Sequence, residues 1–306
     1  VPLTSFEYMD DVRTASMCAM PELLGSAILA ARAGVPGATG DFVRQLFHFM
    51  LPPLLEQLKP EPDAETPQCQ VEAFGELLGH ADGCDEVKLV ESQWRGVTEM
   101  LQTLLRESIE RREERLASQQ DDEYDAEELA ELGADDETED AIVQAIVECL
   151  TKLFEVYRSA FLPAFSELLL PLLQPMLQPT AVAAHRASAL CVFDDVMEHC
   201  IDDGAPGGAP YVSGLFPQFL QYSQDTEPEV RQAAVYGLGV LAQKAPDGVF
   251  TAEMQWQAAQ ALVACCEARG ADDDMEAATD NAVAALGWLC KRTEAIGAIG
   301  WPRWLQ

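Results

Sequence analysis

Positive charge is scarce in this chain. Its 306 residues hold 19 Lys and Arg against 52 Asp and Glu, a net charge of −33. Such a surface repels phosphate backbones and anionic lipid, so nucleic acid and membrane insertion are excluded as expected partners. Histidine is scarcer still, with four residues: His48, His80, His185 and His199. No Gly-rich phosphate loop, G-x-S-x-G or H-E-x-x-H is present. His199, Cys200 and Cys191 match no zinc spacing, and Asp194 and Asp195 are adjacent, so their side chains diverge on a helix. The expectation is no enzyme, no cofactor and no metal. Nine cysteines occur with no C-x-x-C pair. They read as small buried hydrophobes in a reducing compartment, with Cys149, Cys191 and Cys290 on apolar helix faces and Cys265–Cys266 used for packing. No run of 18 uninterrupted apolar residues occurs. FLPAFSELLLPLLQPML (161–177) contains Glu167 and three prolines and predicts a buried hairpin helix. No signal peptide is expected at the observed start, Val1, which is not a Met, and the sequence stops inside IGWPRWLQ; both ends read as cuts through a longer array.

Apolar residues are plentiful, at 48% of the chain. Their spacing is that of helices. In EPEVRQAAVYGLGVLAQ (227–243), Val230, Ala234, Leu238 and Leu241 share one face at three- and four-residue steps. Gly237 and Gly239 cost about 1 kcal/mol each against Ala, tolerable where another backbone comes close. The pattern recurs: Arg186, Arg231 and Glu276 are 45 residues apart, and a further step back reaches Ala141 in AIVQAIVECLTKLF. A two-helix unit of about 40–47 residues is the HEAT/armadillo period. Residues 42–58, 161–177, 211–224 and 249–268 supply first helices, and 65–80 pairs with the earliest of them. Each hairpin buries its apolar face only by stacking on neighbours. The expected fold is therefore all-α: an α-solenoid of HEAT repeats wound as a right-handed superhelix. It forms one array over 1–306, with about five complete repeats and partial ends.

One unit departs from this rhythm. Residues 86–119 predict a single long helix with Val90, Trp94, Val97, Leu101, Leu104 and Leu105 as its stripe. The stripe fades into RREERLASQQ, whose turns are expected to project into solvent. DDEYDAEELAELGADDETED (121–140) follows, with twelve acidic residues and no basic one. We expect an intra-repeat insertion over 118–138. It is either a solvated spacer or a docking strip for a polybasic segment through Asp121, Asp122, Glu123, Asp125, Glu127, Glu128, Asp135, Asp136 and Glu137. Deleting 121–140 would then weaken binding of a basic partner and flatten its salt dependence. Asp194, Asp195 and Glu198 share one side of their helix, and Asp280 and Asn281 lie at a similar depth. They are candidate contacts to basic cargo, or ordinary surface and capping residues.

The unit around Arg231 resembles HEAT repeats, a family that places Asp six residues before Arg with an aliphatic residue preceding the Arg. Asp225, Val230 and Arg231 match, and Glu7, Val12 and Arg13 match with Glu for Asp. The resemblance implies a ladder of ion pairs between repeats. The ladder is only partial, because Thr180 and Glu276 depart from the pattern. Gly237 and Leu238 are the close-packing positions beside it. LCVFDDVMEHC (190–200), VRQAAVYGLG, LKPEPDAET (58–66), ATDNAVAALG (278–287) and the acidic run together resemble the karyopherin-beta nuclear import receptors, nearest the importin five (karyopherin beta-three) branch. That resemblance implies a carrier shuttling between cytoplasm and nucleus. It implies basic cargo such as ribosomal proteins or histones, Phe-Gly nucleoporins, and the GTPase Ran, bound mainly by repeats not present here. The rival readings are a HEAT scaffold in a multiprotein assembly and a chaperone for basic proteins.

Overall fold

In a computed structural model, residues 3–4, 9–57, 65–121, 126–201, 209–246, 248–267 and 276–292 are described. Twelve α-helices are recognised among them, joined by turns and without a strand. They are α1 (Asp10–Arg32), α2 (Gly40–Gln57), α3 (Glu65–Gly79), α4 (Glu91–Asp121), α5 (Ala126–Tyr157), α6 (Leu162–Ala164), α7 (Leu170–Met176), α8 (Ala183–Cys200), α9 (Ala209–Tyr222), α10 (Pro228–Lys244), α11 (Ala252–Glu267) and α12 (Glu276–Arg292). The fold is an all-α HEAT solenoid, as the 45-residue rhythm predicts.

Local chemistry sets the ends of these helices. Glu227 caps α10 with an extended backbone, Pro228 takes the first turn where its missing N–H costs nothing, and Lys244 meets the negative end. Val90 belongs outside the stripe predicted for it. Its carbonyl accepts from Gln93 and Trp94 N–H, so it is the residue before α4, and its side chain is 61% exposed. The helix accordingly begins at Glu91, after a short 3-10 turn at Asp85–Val87. The segment 161–177 is not one regular helix. Pro171 has no N–H for the carbonyl of residue 167, and the ladder widens into a π-helical turn over Phe165–Leu169 between α6 and α7.

The chain divides into two compact units. The first comprises Val1–Tyr157 with Pro163–Leu172. Here α3 lies between α1 and α5, α2 packs on α1, and α4 packs on α5. Met17, Leu24, Phe47, Leu54, Phe74, Leu77 and Phe154 fill the core. By composition and length α1 could also cross a membrane; one side of it packs against α2 and α3, while Leu23 and Leu29 are exposed. Trp94, Val97, Leu101, Leu104 and Leu105 are buried along α4 as the stripe predicts. Leu89 N–H donates to the Tyr157 hydroxyl at 2.8 Å, and Gln102 Nε2 donates to the Leu168 carbonyl at 2.6 Å.

The second unit comprises Arg158–Leu162 with Leu173–Gln306. Here α10 is flanked by α8 and α12, while α9 and α11 lie behind. Val230, Ala234, Leu238 and Leu241 are all fully buried. The glycines of α10 stand where neighbouring side chains come close. A Cβ on Gly237 would stand 2.3 Å from Asp194 Oδ1 and 2.6 Å from the Phe219 ring, and one on Gly239 would stand 3.2 Å from Ala285 Cβ.

Candidate functional site

Two charged features stand out, one in each unit. The first is the α4–α5 hairpin. The acidic run was expected as an insertion unable to fold alone, yet residues 126–140 form the opening turns of α5. Folding there depends on the basic end of α4. Arg111 grips Glu139 with both arms, Nε to Oε1 at 2.5 Å and Nη2 to Oε2 at 3.0 Å. Arg112 donates to Asp140, and Arg115 donates to Asp136 Oδ1 at 2.8 Å. The pairs run antiparallel, 28, 28 and 21 residues apart, so one face of RREER reads one face of the acidic run. Burial alone would raise the Glu139 carboxyl; the hydrogen bonds from Arg111, with Arg115 nearby, hold it below the usual carboxylate range. The RREER turns therefore do not simply project into solvent, since Arg112 is buried.

This changes what the acidic run can offer a partner. Asp136 is already paired with Arg112 and Arg115, so it is corrected from free docking residue to hairpin clamp. Asp135 and Glu137 are exposed. Asp121 ends α4, and Glu127 and Glu128 lie in the first turns of α5, all three with side chains outside the described residues. Asp122, Glu123 and Asp125 lie outside them entirely.

The second feature is the face formed by α8 and α10. Asp195 and Glu198 are half-buried on α8. Tyr236 of α10, 43% exposed, donates its hydroxyl to Glu198 Oε2 at 2.8 Å. Burial pushes the Tyr236 hydroxyl up, helped by Glu198, Asp194 and Asp195. Asp194 is corrected from surface contact to interior residue: it is 3% exposed and turned against Gly237. Burial, with Asp195 and Glu198 beside it, raises its carboxyl well above the usual range. Asp280 is exposed on α12, and the neighbouring Asn281 Nδ2 reaches the Gln232 carbonyl at 3.4 Å, tying α12 to α10. Cys149 is buried as expected, Cys290 is half-buried, and Cys191 is exposed instead of packed. Among the described residues no group of three His, Cys, Asp or Glu is placed to hold a metal.

A rung of the expected ladder lies in the second unit. Arg186 of one hairpin pairs with Asp225 of the next at 3.3 Å, both side chains 12% exposed. Arg231 Nη1 donates to the Asp225 backbone carbonyl at 2.8 Å, and the Asp225 carboxylate also accepts from Glu227 N–H at 3.0 Å. Glu7, the counterpart of Asp225, lies outside the described residues, and Arg13 is half-buried on α1. In the first unit a cleft of about 400 Å³ runs between α1, α3 and α5, lined by Glu22, Leu29, Glu76, His80 and Lys152. Sequence reasoning missed Tyr236 and the three arginines. The arginines had a signal, a basic cluster just before an acidic run; Tyr236 had none.

Comparison with known proteins gives these features a setting. A family model described as Importin repeat 6 matches residues 82–179, the stretch containing the charged hairpin. A HEAT repeat model matches 215–245, containing α10. Among solved structures, Kap121p is similar over 97% of this chain and 25% of its own, at 20% identity and a TM-score of 0.76. Kap121p bound to RanGTP gives 0.75 at 20% identity, covering 96% of this chain and 24% of that one. Kap121p bound to Nup53p gives 0.71 at 20% identity, covering 94% and 24%. The chain thus spans about a quarter of the length of the Kap121p structures it matches. Its fold is the HEAT solenoid seen in the karyopherin Kap121p.

Proposed function

We propose that the chain is a stretch of a karyopherin-beta nuclear transport receptor, of the importin five branch, that contacts basic cargo through acidic side chains on its helical surface. The observation that carries this reading is the Importin repeat 6 match over the acidic hairpin, within a solenoid similar to Kap121p along 97% of the chain. Structures of Kap121p with RanGTP, Nup53p and Ste12p support Ran, nucleoporin and cargo as partner classes for the whole receptor. Movement between cytoplasm and nucleus belongs to the same reading, and no chemistry on the chain is required for it.

The acidity fits the role physically. Exposed ion pairs contribute about 0.2–1 kcal/mol each, and a 1 µM complex needs about 8 kcal/mol, so many contacts must act together. Exposed Asp135 and Glu137 remain available after the hairpin has used Asp136, Glu139 and Asp140. Deleting the whole run would also remove the clamp, so a milder change is the better test. Asp135→Asn with Glu137→Gln should weaken binding of a basic peptide and reduce its salt slope, measured by fluorescence anisotropy from low to high NaCl. Unchanged affinity and slope would remove the hairpin from the binding surface. For the whole receptor, added Ran-GTP should release the basic cargo in a pull-down; a scaffold would keep it.

A further inference from the structure

The turn between α9 and α10 holds the Asp225 rung and, beside it, an exposed hydroxyl. Thr226 lies outside both helices, between Asp225 and the N-cap residue Glu227. In the whole sequence an acidic residue stands three positions after a Ser or Thr only at Thr4, Ser118 and Thr226. Thr4 is buried, and Ser118 lies within α4 with its hydroxyl bonded to the Glu114 carbonyl. Thr226 is the one of the three that is exposed on non-helical backbone. Its flank is acidic on both sides, with Asp225 before it and the exposed Glu227 and Glu229 after it. Cations meet the same turn. Arg231 Nη1 donates at 2.8 Å to the Asp225 carbonyl, which belongs to the peptide group that joins Asp225 to Thr226. Arg186 of α8 reaches the Asp225 carboxylate, and its Nε is buried without a hydrogen-bond partner. Glu227 makes no side-chain cap bond, so no side chain of the N-cap residue covers the positive end of α10.

We propose that Thr226 is a phosphorylation site for an acid-directed protein kinase, and that the phosphate fastens α10 to α8. A kinase with a basic substrate groove recognises the exposed carboxylates one and three positions after the hydroxyl. It also needs backbone that can be drawn out straight, which a turn supplies more readily than a helix interior. In the transfer, the Thr226 hydroxyl oxygen attacks the γ-phosphorus of ATP. The bond from that phosphorus to the β–γ bridging oxygen breaks, ADP leaves, and the hydroxyl proton passes to the kinase's carboxylate base. The product carries a charge of about −2 and three acceptor oxygens. Arg231 can then exchange a neutral carbonyl for a charged acceptor, which makes a hydrogen bond roughly twice as strong. The uncapped end of α10 favours the same anion. Glu227 and Glu229 oppose it, but both are exposed and screened by water. The Arg186 side chain is only 12% exposed, so its attraction is screened less and prevails.

The test incubates the full chain with an acid-directed Ser/Thr kinase and ATP, and maps the phosphate by mass spectrometry. Thr226 should be modified, and Thr226→Ala should abolish that phosphopeptide. Glu229→Gln should slow its appearance about tenfold, the effect of losing one charged recognition contact. The phosphorylated chain should melt about 2–4 °C above the unmodified one, with slower amide exchange at the start of α10. Arg231→Gln should remove that rise. Arg231→Lys, which keeps the charge, should retain part of it and keeps the test informative if Arg231→Gln unfolds. Phosphate on Ser118 with none on Thr226, or none on either, would overturn the site. A modified Thr226 with an unchanged or lowered Tm would overturn the fastening, as would a rise that survives in folded Arg231→Gln.

Discussion

Glu139 and Asp194 are both buried carboxyls on long helices, and they have opposite fates. Glu139 sits in the α4–α5 hairpin at 4% exposure, held by Arg111 and approached by Arg115. Asp194 sits between α8 and α10 at 3% exposure, with carboxyls for charged neighbours. The first is driven below the usual range and the second well above it. The difference teaches where each unit gets its order. Where RREER faces the acidic run, the hairpin is polar and relies on paired charge. The α8–α10–α12 stack relies on apolar and small residues packed closely, and it carries Asp194 as a cost. Buried charge stabilises only when its partner is built in with it.

The largest effect sets the scale for that contrast. Leu238→Ala removes a fully buried side chain from the stack and should cost about 2–5 kcal/mol in urea or thermal unfolding. A loss well below 1 kcal/mol would mean that close packing is not what orders α10, and the contrast with the hairpin would fail.

Next come the two carboxyls, neutralised as a pair of experiments. Glu139→Gln should destabilise the hairpin by about 1.5–3 kcal/mol at pH 7, the range for charge-assisted hydrogen bonds. Asp194→Asn should stabilise the second unit by about 1–3 kcal/mol at pH 7, because Asn carries no charge to be buried beside Asp195 and Glu198. The pH dependence follows from the directions of the shifts. Glu139 has its carboxyl lowered, so its contribution is present above the unfolded value near ~4.3 and is lost as pH falls through the folded value. Asp194 has its carboxyl raised, so its cost is absent below ~3.9 and grows as pH rises toward the folded value. Both differences from the parent should therefore shrink on acidification, from opposite signs. Hydrogen exchange separates the two units, and differences of the same sign at pH 7 would break the comparison.

Much of this was legible in the sequence, and the illegible part has physical causes. Helix positions and the 45-residue rhythm follow from periodicity, which burial enforces along every helix. Gly237 was readable because a glycine inside an apolar stripe has few other uses. Val90 was misplaced because a stripe does not mark its own first turn, and the N-cap is set by backbone bonding. Asp194 was misjudged because charge suggests solvent, while its position beside Leu190 and Met197 placed it at the edge of the buried face. The acidic run reads as a solvated spacer or a docking strip when composition is weighed segment by segment. The partner it needed was the basic cluster a few residues earlier, and antiparallel pairing becomes visible only when two segments are read against each other.

The smallest effect concerns two glycines of α10, which sharpen the account of the stack. Gly→Ala in a helix gains about 1 kcal/mol of propensity, so the sign of each change depends on what the new methyl meets. At Gly237 it meets Asp194 Oδ1 at 2.3 Å and the Phe219 ring at 2.6 Å. The carboxyl tip can swing away, but Phe219 is fully buried and cannot, so overpacking of about 1–3 kcal/mol should outweigh the propensity gain. At Gly239 the methyl meets Ala285 Cβ at 3.2 Å, a contact relieved by a few tenths of an ångström between α10 and α12. Gly239→Ala should therefore change stability by less than about 1 kcal/mol in either direction. Tm values for the two variants measured side by side decide it. If Gly237→Ala proves as harmless as Gly239→Ala, the Phe219 ring is not held against α10 and the close-packing account of the stack fails.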